Sequence, residues 1–409
     1  MGKSVWAGGQ SLGFRPVLCG GLVAAQTPRV FAHRTVGLLV SNAQLSNLLI
    51  LDQQLFHEEK QAVVQAGLAS TPWQHLDSTA TGLAGQLYHC HILCNPLYTA
   101  YTTLPTKDRQ ALVKVLLGGQ ALSYRLNSAA LTLLEQAGLA AKWRTKLSHL
   151  ASERDLSERE LDRLLEAHSL MLGSSQLKVL KDVLAVVSYQ ARPDWPIVGL
   201  LITDDAPQFC GLTKEQALCW LHEGRHYKSL RPKTAYAKKR YGEFMGKFWD
   251  YYQELLVYQL SPTTKEAVRL RNKFERLFGS TSDYTELDER KGLTLAKQGP
   301  LLAVLNHPEI ALHNNPAELG ARQRVRKRDV SLQTRQSAGL AAWDTFQTLV
   351  ETARKQGVNV YRYFYDRLSK RQAMPSLALL IEQAASKHRV SLNGSWLSPT
   401  SQVMVSSAA

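Results

Sequence analysis

The spacing of apolar positions changes character several times along the chain. From Ser41, SNAQLSNLLILDQQLFHEEKQAVVQAGL has helical spacing, with Leu45, Leu48, Leu49, Leu55 and Val63 on one side and Gly67 as a stop. The period then shortens to two. WQHLDSTATG alternates, a turn falls between Gly82 and Gly85, QLYHCHILC reads as a strand broken at Asn95-Pro96, and YTAYTTL reads as a third. Together they predict a meander. TKDRQALVKVLLGG predicts a capped helix ending at a Gly pair. Residues 128–192 read as mostly helical, with ASERDLSERELDRLLE as a charged, solvated run. PIVGLLIT is short, apolar and rich in β-branched residues, which predicts a buried strand ending at Asp204-Asp205.

The next stretch, EQALCWLHEGRHYKSL, is ambiguous. Thr213 and Gln216 have the spacing of a capping box, yet ALCWLH reads as a strand feeding a helix, and the strand is the preferred reading. From about 223 to 300 the pattern is helical. Phe244, Phe248, Tyr251, Tyr252 and Leu255 form one stripe; Val268, Phe274, Leu277 and Phe278 form another, closed by Gly279. Stripes of this kind are core faces rather than cofactor sites. A mostly helical stretch follows to about 385, then a Ser-rich tail. Residues 1–40 show neither period, and weak order is expected there.

Composition narrows the function classes. A chain of 409 residues, 44% hydrophobic, has room for two or three globular domains. Its best apolar run, VGLLVSNAQLSNLLIL, is interrupted by Ser, Asn and Gln, so no membrane span is expected. VLCGGLVAA is too short and Gly-rich for a signal peptide, and Trp6 breaks a myristoylation pattern. A cytoplasmic protein without a membrane partner is the expectation. The net charge of +15 favours a polyanionic partner, most often nucleic acid. Five Cys without a Cys-x-x-Cys pair suit a reducing compartment. HCHILC is no zinc site if it is a strand, because His89 and His91 then face one side and Cys90 and Cys94 the other.

One stretch places a carboxylate at the mouth of a basic helix: LHNNPAELGARQRVRKRD, from Leu312 to Asp329. A structural reading makes Asn315 the N-cap, Pro316 the first helical residue and Glu318 the third, where a Glu closes a capping box and meets the helix dipole. The chemical reading needs partners. Asp77 lies in the first strand of the meander, with Thr79 on the same face, and Asp204 ends the later buried strand, where open α/β sheets bind ligands. An RNase H-like fold brings such positions together. Three carboxylates can hold two Mg²⁺ ions, with Mn²⁺ as a substitute, and leave positions for a phosphodiester. Arg322, Arg324, Arg326, Lys327 and Arg328 would then bring phosphates toward Glu318.

The contexts HLDSTATG, LLITDDAPQF, CWLHEGRHYKSL and HNNPAELGARQRVRKRD, in that order, resemble DDE-type transposases of bacterial insertion sequences. The resemblance is to the group with a helical insertion, the insertion-sequence sixty-six type. Its pattern is carried by Asp77, Asp204, Cys219-Trp220-Leu221-His222 with Arg225, and Asn314-Asn315-Pro316-Ala317-Glu318; SAGLAAWDTFQTLVETARKQGVN resembles the helix after the Glu. It covers about residues 40–385. The group often has Gly where Asp205 stands; Asp204 is assigned because it comes first after the strand. The group also usually carries an upstream DNA-binding region, which the first forty residues do not show, so binding of element ends is expected to be weak or to lack sequence preference.

The resemblance implies metal-dependent cleavage at the element end, transfer of the freed 3′-hydroxyl to target DNA, and self-association on DNA in a bacterial, nucleoid-associated protein. It implies DNA contacts for His222 and Arg225, although packing is an equal alternative for His222. Lys228 belongs to RHYKSLRPKTAYAKKRYGEF, which interleaves basic and aromatic residues as nucleic-acid surfaces do; a solvated basic helix is the alternative. The expected fold is α/β, an RNase H-like mixed sheet with flanking helices and a large all-helical insertion. Its parts are a divergent amino terminus (1–40), a helical remnant of an upstream DNA-binding region (41–70), a catalytic domain in two pieces (71–222 and 301–385, the second with trailing helices), a helical insertion (223–300) and a tail (386–409). Two other functions fit the same residues: a transposase-derived DNA-binding protein without activity, or another RNase H-like nuclease.

Overall fold

Strand β1 (Trp73–Leu83) opens the meander and turns into β2 (Gln86–Asn95) through Ala84 and Gly85. Both turn residues are left-handed, φ 50° and 82°, as a two-residue primed hairpin requires. β2 pairs antiparallel with β3 (Tyr98–Leu104), and Asn95 closes that second turn by accepting from the Leu97 amide. The computed structural model describes residues 41–331 and 334–390, so the expectations for residues 1–40 and for the tail beyond 390 lie outside it.

The fold is α/β. Its strands form a mixed five-stranded sheet in the order β3-β2-β1-β6-β7, where β6 is Leu200–Thr203 and β7 is Glu215–Leu218, paired in parallel. The chain divides into two compact units. The first takes in the described residues up to Gly199, Gln208–Thr213 and Pro316–Ser386; the second takes in Leu200–Pro207, Lys214–Asn315 and the described residues from Lys387.

In the first unit, the expected opening helix is two helices, α1 (Asn42–Ile50) and α2 (Gln54–Ser70). The break falls at Asp52, whose φ of 57° no helix continues through. α2 does not stop at Gly67. Gly67 stays inside the helix and lies against the Tyr98 ring, where an added Cβ would sit 2.5 Å from the ring carbons. Phe56, Val63, Val64 and Leu68 are buried while Leu55 is exposed, which rotates the apolar face from the one expected. Phe56 packs on Phe346 and Phe364, so α2 belongs to this unit's core.

The meander is followed by α3 (Arg109–Leu116), capped by Asp108, then β4 (Tyr124–Arg125), α4 (Ser128–Gln136), α5 (Ala141–Ser148), β5 (Asp155–Leu156), α6 (Glu158–Ala167) and α7 (Ser174–Gln190). The small β4–β5 ribbon was hidden inside the expected helical run. Its two-residue strands are too short for periodicity, and the Arg125–Asp155 pair holds them. The charged run does form a helix, with Ser157 and Glu160 making a capping box.

Helix α13 (Asn315–Ser331) carries the basic run, and helix α14 (Ser337–Lys355) lies along the outer edge of β3. One turn apart on α14, Asp344, Thr348 and Thr352 accept from alternate amides of β3: Thr103 to Asp344 at 2.7 Å, Tyr101 to Thr348 at 3.0 Å and Thr99 to Thr352 at 3.3 Å. The edge strand is thus covered by a helix whose side chains replace a neighbouring strand. α15 (Val360–Leu368) and α16 (Leu377–Val390) complete the helices, α16 running past the expected end at 385.

Arg324 corrects the expectation that it faces phosphates. It is fully buried, paired with Asp344, and its guanidinium lies over the Tyr101 and Trp343 rings. Its position in α13 turns it toward α14 rather than outward.

In the second unit, β7 ends at Leu218, so the preferred strand reading of ALCWLH fails beyond that residue. Cys219 caps α8 (Trp220–Lys228) and Trp220 is already helical. Four helices follow: α9 (Ala235–Leu260), α10 (Thr264–Gly279), α11 (Thr285–Leu295) and α12 (Gln298–Leu301). Phe244, Phe248, Tyr251, Tyr252, Leu255, Phe274 and Phe278 are buried, but Val268 is exposed and Leu270 takes the inner place. Trp220 sits among these rings and donates its Nε1–H to the Leu301 carbonyl at 2.9 Å. No helix of the described residues is long and apolar enough to cross a membrane.

Asp344→Ala is expected to cost about 3–5 kcal/mol, because it leaves Arg324 buried without its counter-charge. Pairing it with Arg324→Met should cost clearly less than the two single changes summed. Urea denaturation of the four proteins measures this; strict additivity would show that the pair is not coupled.

Candidate functional site

In the first unit, Asp77 stands opposite Ile92 across the β1–β2 ladder, so the two side chains share a face. Cys90, Ile92 and Cys94 lie on that face and form a buried cluster with Tyr101 and with Ala317 and Ala321 of α13. The approach is close: a Cβ on Gly320 would lie 2.7 Å from Ile92 Cγ2, and the Tyr101 hydroxyl donates to the Gly320 carbonyl at 3.2 Å. The first turns of α13 therefore cover the face that bears Asp77, and Glu318 is in that first turn. Burial pushes the Cys94 thiol up, and the Asp77 charge adds to the rise while Lys355 opposes it. On the opposite face Ser78 pairs with His91 at 2.7 Å. Burial lowers His91 to about 4, which keeps the imidazole neutral, and its Nε2 lies 3.1 Å from the Thr106 carbonyl. The strand thus separates its His and Cys residues as the alternation requires.

The helix starts at Asn315, the residue expected to cap it, one residue before the expected start at Pro316. Glu318, Arg322 and Arg326 follow at intervals of four and so form one side of it. Arg322 and Arg326 are exposed, and Glu318 is half-buried. Lys327 and Arg328 are half-buried and partly engaged: Lys327 lies over the Trp343 ring at 5.5 Å, and Arg328 donates to the Ala80 carbonyl at 2.8 Å.

In the second unit, Asp204 follows the last residue of β6. Its Oδ1 accepts from the Ala206 amide at 3.0 Å, and its carbonyl accepts from the Thr203 hydroxyl at 2.7 Å. Asp205 is committed elsewhere. Lys297 donates to it at 2.5 Å, and His226 Nε2 lies 3.2 Å away. Burial works against its charge, but Lys297 and His226 outweigh that and hold its carboxyl below the usual range. Glu223, buried on α8, is paired with Arg290 and with Lys297 at 3.4 Å, and Thr294 donates to it. Asp205, Glu223 and His226 bring ligand atoms within 4.8 Å of one another. Two basic side chains already neutralise the two carboxylates, so this cluster is a salt-bridge network in which Lys297 holds the cation's place.

The Cys-Trp motif joins three segments of this unit. The Cys219 amide donates to the Thr203 carbonyl at 3.0 Å, the Trp220 amide donates to Leu312, and the Asn314 amide donates to Cys219 Sγ at 3.2 Å. His222 Nε2 lies 2.9 Å from Arg225 Nη1; Arg225 and Lys228 are exposed at the surface of α8.

The structure brings Asp77 and the Glu318 turn to one face, and it places Asp204 at the end of its strand in the other unit. Glu223, Arg290 and Lys297 were missed by the sequence reading. A signal existed for Glu223, since Trp220, Glu223, Gly224 and Tyr227 are the buried positions of α8 at helical spacing. Nothing local marks Arg290 or Lys297.

No model of a known protein family matches the chain, and no solved structure matches it. An uncharacterized protein, y4jO, of Sinorhizobium fredii is 28% identical over 340 residues, covering 79% of this chain and 100% of that protein.

Lys297→Met tests the network through pH. Asp205 is held low in the fold, so its contribution is present above the ordinary carboxylate range and lost as pH falls through the lowered value. The variant should lose about 1–3 kcal/mol at neutral pH, and the gap should narrow in acid as Asp205 protonates. Denaturant midpoints across pH measure it; a gap of constant size would refute the assignment.

Proposed function

We propose that the chain is a metal-dependent DNA strand-transfer enzyme akin to DDE-type transposases with a helical insertion, built on an RNase H-like sheet. Asp77, Asp204 and Glu318 are its acidic residues. The observation that supports this reading is the packing of Ala317 and Ala321, at the start of α13, over the strand face that bears Asp77, with Glu318 in the same turn as Ala317. The commitment of Asp205 to Lys297 supports Asp204 as the third.

The donor set fits hard divalent cations. Asp77, Asp204 and Glu318 offer carboxylate oxygens, which suit Mg²⁺, with Mn²⁺ as a substitute. Two such ions, when bound, activate the attacking oxygen and stabilise the charge on the leaving one. The remaining work falls to the protein. Arg322 and Arg326, on the Glu318 side of α13, hold phosphates of the DNA backbone, and Lys327 and Arg328 lie behind them. His222, Arg225 and Lys228 on α8 contact DNA near the cut, with the His222–Arg225 contact fixing the imidazole. Hydrolysis of one phosphodiester frees a 3′-hydroxyl, and that hydroxyl displaces the 3′-oxygen of a target phosphodiester. Chemistry of this kind places the protein with DNA, bacterial and nucleoid-associated, and invites self-association on paired ends.

The test uses DNA carrying the ends that flank the coding region, with Mg²⁺ or Mn²⁺. Wild type should cleave and join. Asp77→Asn, Asp204→Asn and Glu318→Gln should each abolish both steps while DNA binding persists, and Asp205→Asn should leave both steps measurable. Cleavage without joining would assign the chain to the other RNase H-like nucleases. Binding without metal-dependent cleavage would leave a DNA-binding protein derived from such an enzyme.

A further inference from the structure

Helix α15 carries a surface that the carboxylates do not explain. Its inner side is fixed: Tyr363, Phe364, Asp366 and Arg367 are buried. The outer side is thereby held out, and it presents Tyr361 and Tyr365 one turn apart. Their rings are near-parallel, 14° between planes, with centroids 6.3 Å apart, and Tyr361 is 47% exposed. Arg371, in the following loop, places its guanidinium 5.5 Å from the Tyr365 ring centre.

That loop is built rather than slack. Asp366 accepts from the Ala373 amide at 2.9 Å and the Met374 amide at 3.3 Å, and Arg367 donates to the Met374 and Pro375 carbonyls. Lys370 and Gln372 are left-handed, φ 57° and 48°, a conformation that costs energy and persists because these bonds impose it. The result fixes Arg371 beside the stacked rings. Arg362, Lys370 and Arg371 are exposed, and among the described residues no carboxylate pairs with any of them. The nearby acids are committed: Asp366 to the loop, and Glu59 to Tyr363 and Arg367.

One exposed ring and one half-buried ring, flanked by exposed cations, offer what unpaired bases on a phosphodiester backbone require: stacking on the rings, charge for the phosphates. We propose that the Tyr361–Tyr365 platform with Arg362, Lys370 and Arg371 is a binding site for single-stranded DNA. Duplex DNA offers no base faces and does not fit the rings. The inference deepens the proposed function by giving the protein a grip on an unpaired strand, but its geometry stands apart from Asp77, Asp204 and Glu318.

The experiment measures binding of the full chain to labelled oligothymidine and to a duplex of equal length by fluorescence anisotropy across a salt series. The Tyr361→Ala/Tyr365→Ala variant should bind oligothymidine on the order of tenfold or more weakly and duplex as wild type does. The Tyr361→Phe/Tyr365→Phe variant should keep the affinity, because the ring faces act. Tyr361→Ala alone, at an exposed position, should show part of the loss with an unchanged thermal melt. Replacing Arg362 and Lys370 with Gln should flatten the salt dependence. Unchanged oligothymidine binding by a folded double-Ala variant, an equal loss on duplex, or tighter binding of oligouridine than of oligothymidine would overturn the proposal. Asp77→Asn separates the two claims: it should abolish cleavage and leave oligothymidine binding intact.

Discussion

The first unit depends on how the outer edge of β3 is closed. An exposed edge strand leaves a row of amides and carbonyls open to pairing with another chain. Here α14 lies along that edge, and three of its side chains, Asp344, Thr348 and Thr352, take the alternate amides of Thr103, Tyr101 and Thr99. Lys355 and Gln356, at the end of the same helix, take the carbonyls of Asn95, Tyr98 and Leu97 in the turn before and at the start of β3. The most demanding member is Asp344. It accepts two hydrogen bonds from Thr103 and also pairs with Arg324, deep in the protein. Burying both charges is expensive, and what offsets it is full use of the carboxylate together with the two rings that sandwich the guanidinium. The consequence for function is positional. Arg324 lies six residues after Glu318, roughly 9 Å along the helix, so locking the one fixes the depth and rotation at which the other is presented.

A second constraint governs the other unit, and it too is a buried polar group in an apolar setting. Trp220 anchors α8 among the rings of α9 and α10, and one turn on the same buried side carries Glu223. That carboxylate is tolerated because Arg290, Thr294 and Lys297 converge on it. Lys297 then reaches on to Asp205, so the loop after β6 is held by a charge that originates in the helical segment. The adjacent Asp204 is held differently, by the Ala206 amide within its own turn. Two neighbouring carboxylates are thereby given unlike environments, one neutralised by a salt bridge and one shaped by a turn.

The strands of the meander were legible because alternation is a local signal: WQHLDSTATG, QLYHCHILC and YTAYTTL each carry it within a few residues. The aromatic stripes of α9 and α10 were legible for the same reason, at a period of 3.6. What sequence could not fix were features decided by long-range contact. The break at Asp52 comes with a left-handed residue, and the Gly67 that reads as a stop serves instead for close approach to the Tyr98 ring. The β4–β5 ribbon is too short for any period. Cys219 and Trp220 carry strand-like residues, but the strand ends at Leu218 because Cys219 caps a helix. At the candidate site, Asp77 and Glu318 were singled out by their contexts. Arg324 was misread because a run of basic residues on one helix contains both an outward side and one inward position. The polar stripe Asp344, Thr348, Thr352 was visible as spacing, but its meaning lay in the strand it covers.

These observations bear on what the net charge of +15 means. A basic sequence invites the inference of a polyanion partner, yet part of that charge does structural work. Arg324, Arg367 and Lys291 are buried, and Arg290 and Lys297 are held in ion pairs with Glu223. Substituting these residues would disturb the fold's own ion pairs rather than a surface open to a polyanion. The charge that can meet a polyanion is the exposed remainder, and it is not spread evenly. Arg322 and Arg326 stand on the Glu318 side of α13, Arg225 and Lys228 on α8, and Arg362, Lys370 and Arg371 around stacked tyrosines. A surface that served solubility alone would have no reason to hold a guanidinium over a half-buried tyrosine ring with a strained loop. Under the proposed function, the cations that count are those placed beside a carboxylate or a ring, and composition alone cannot pick them out.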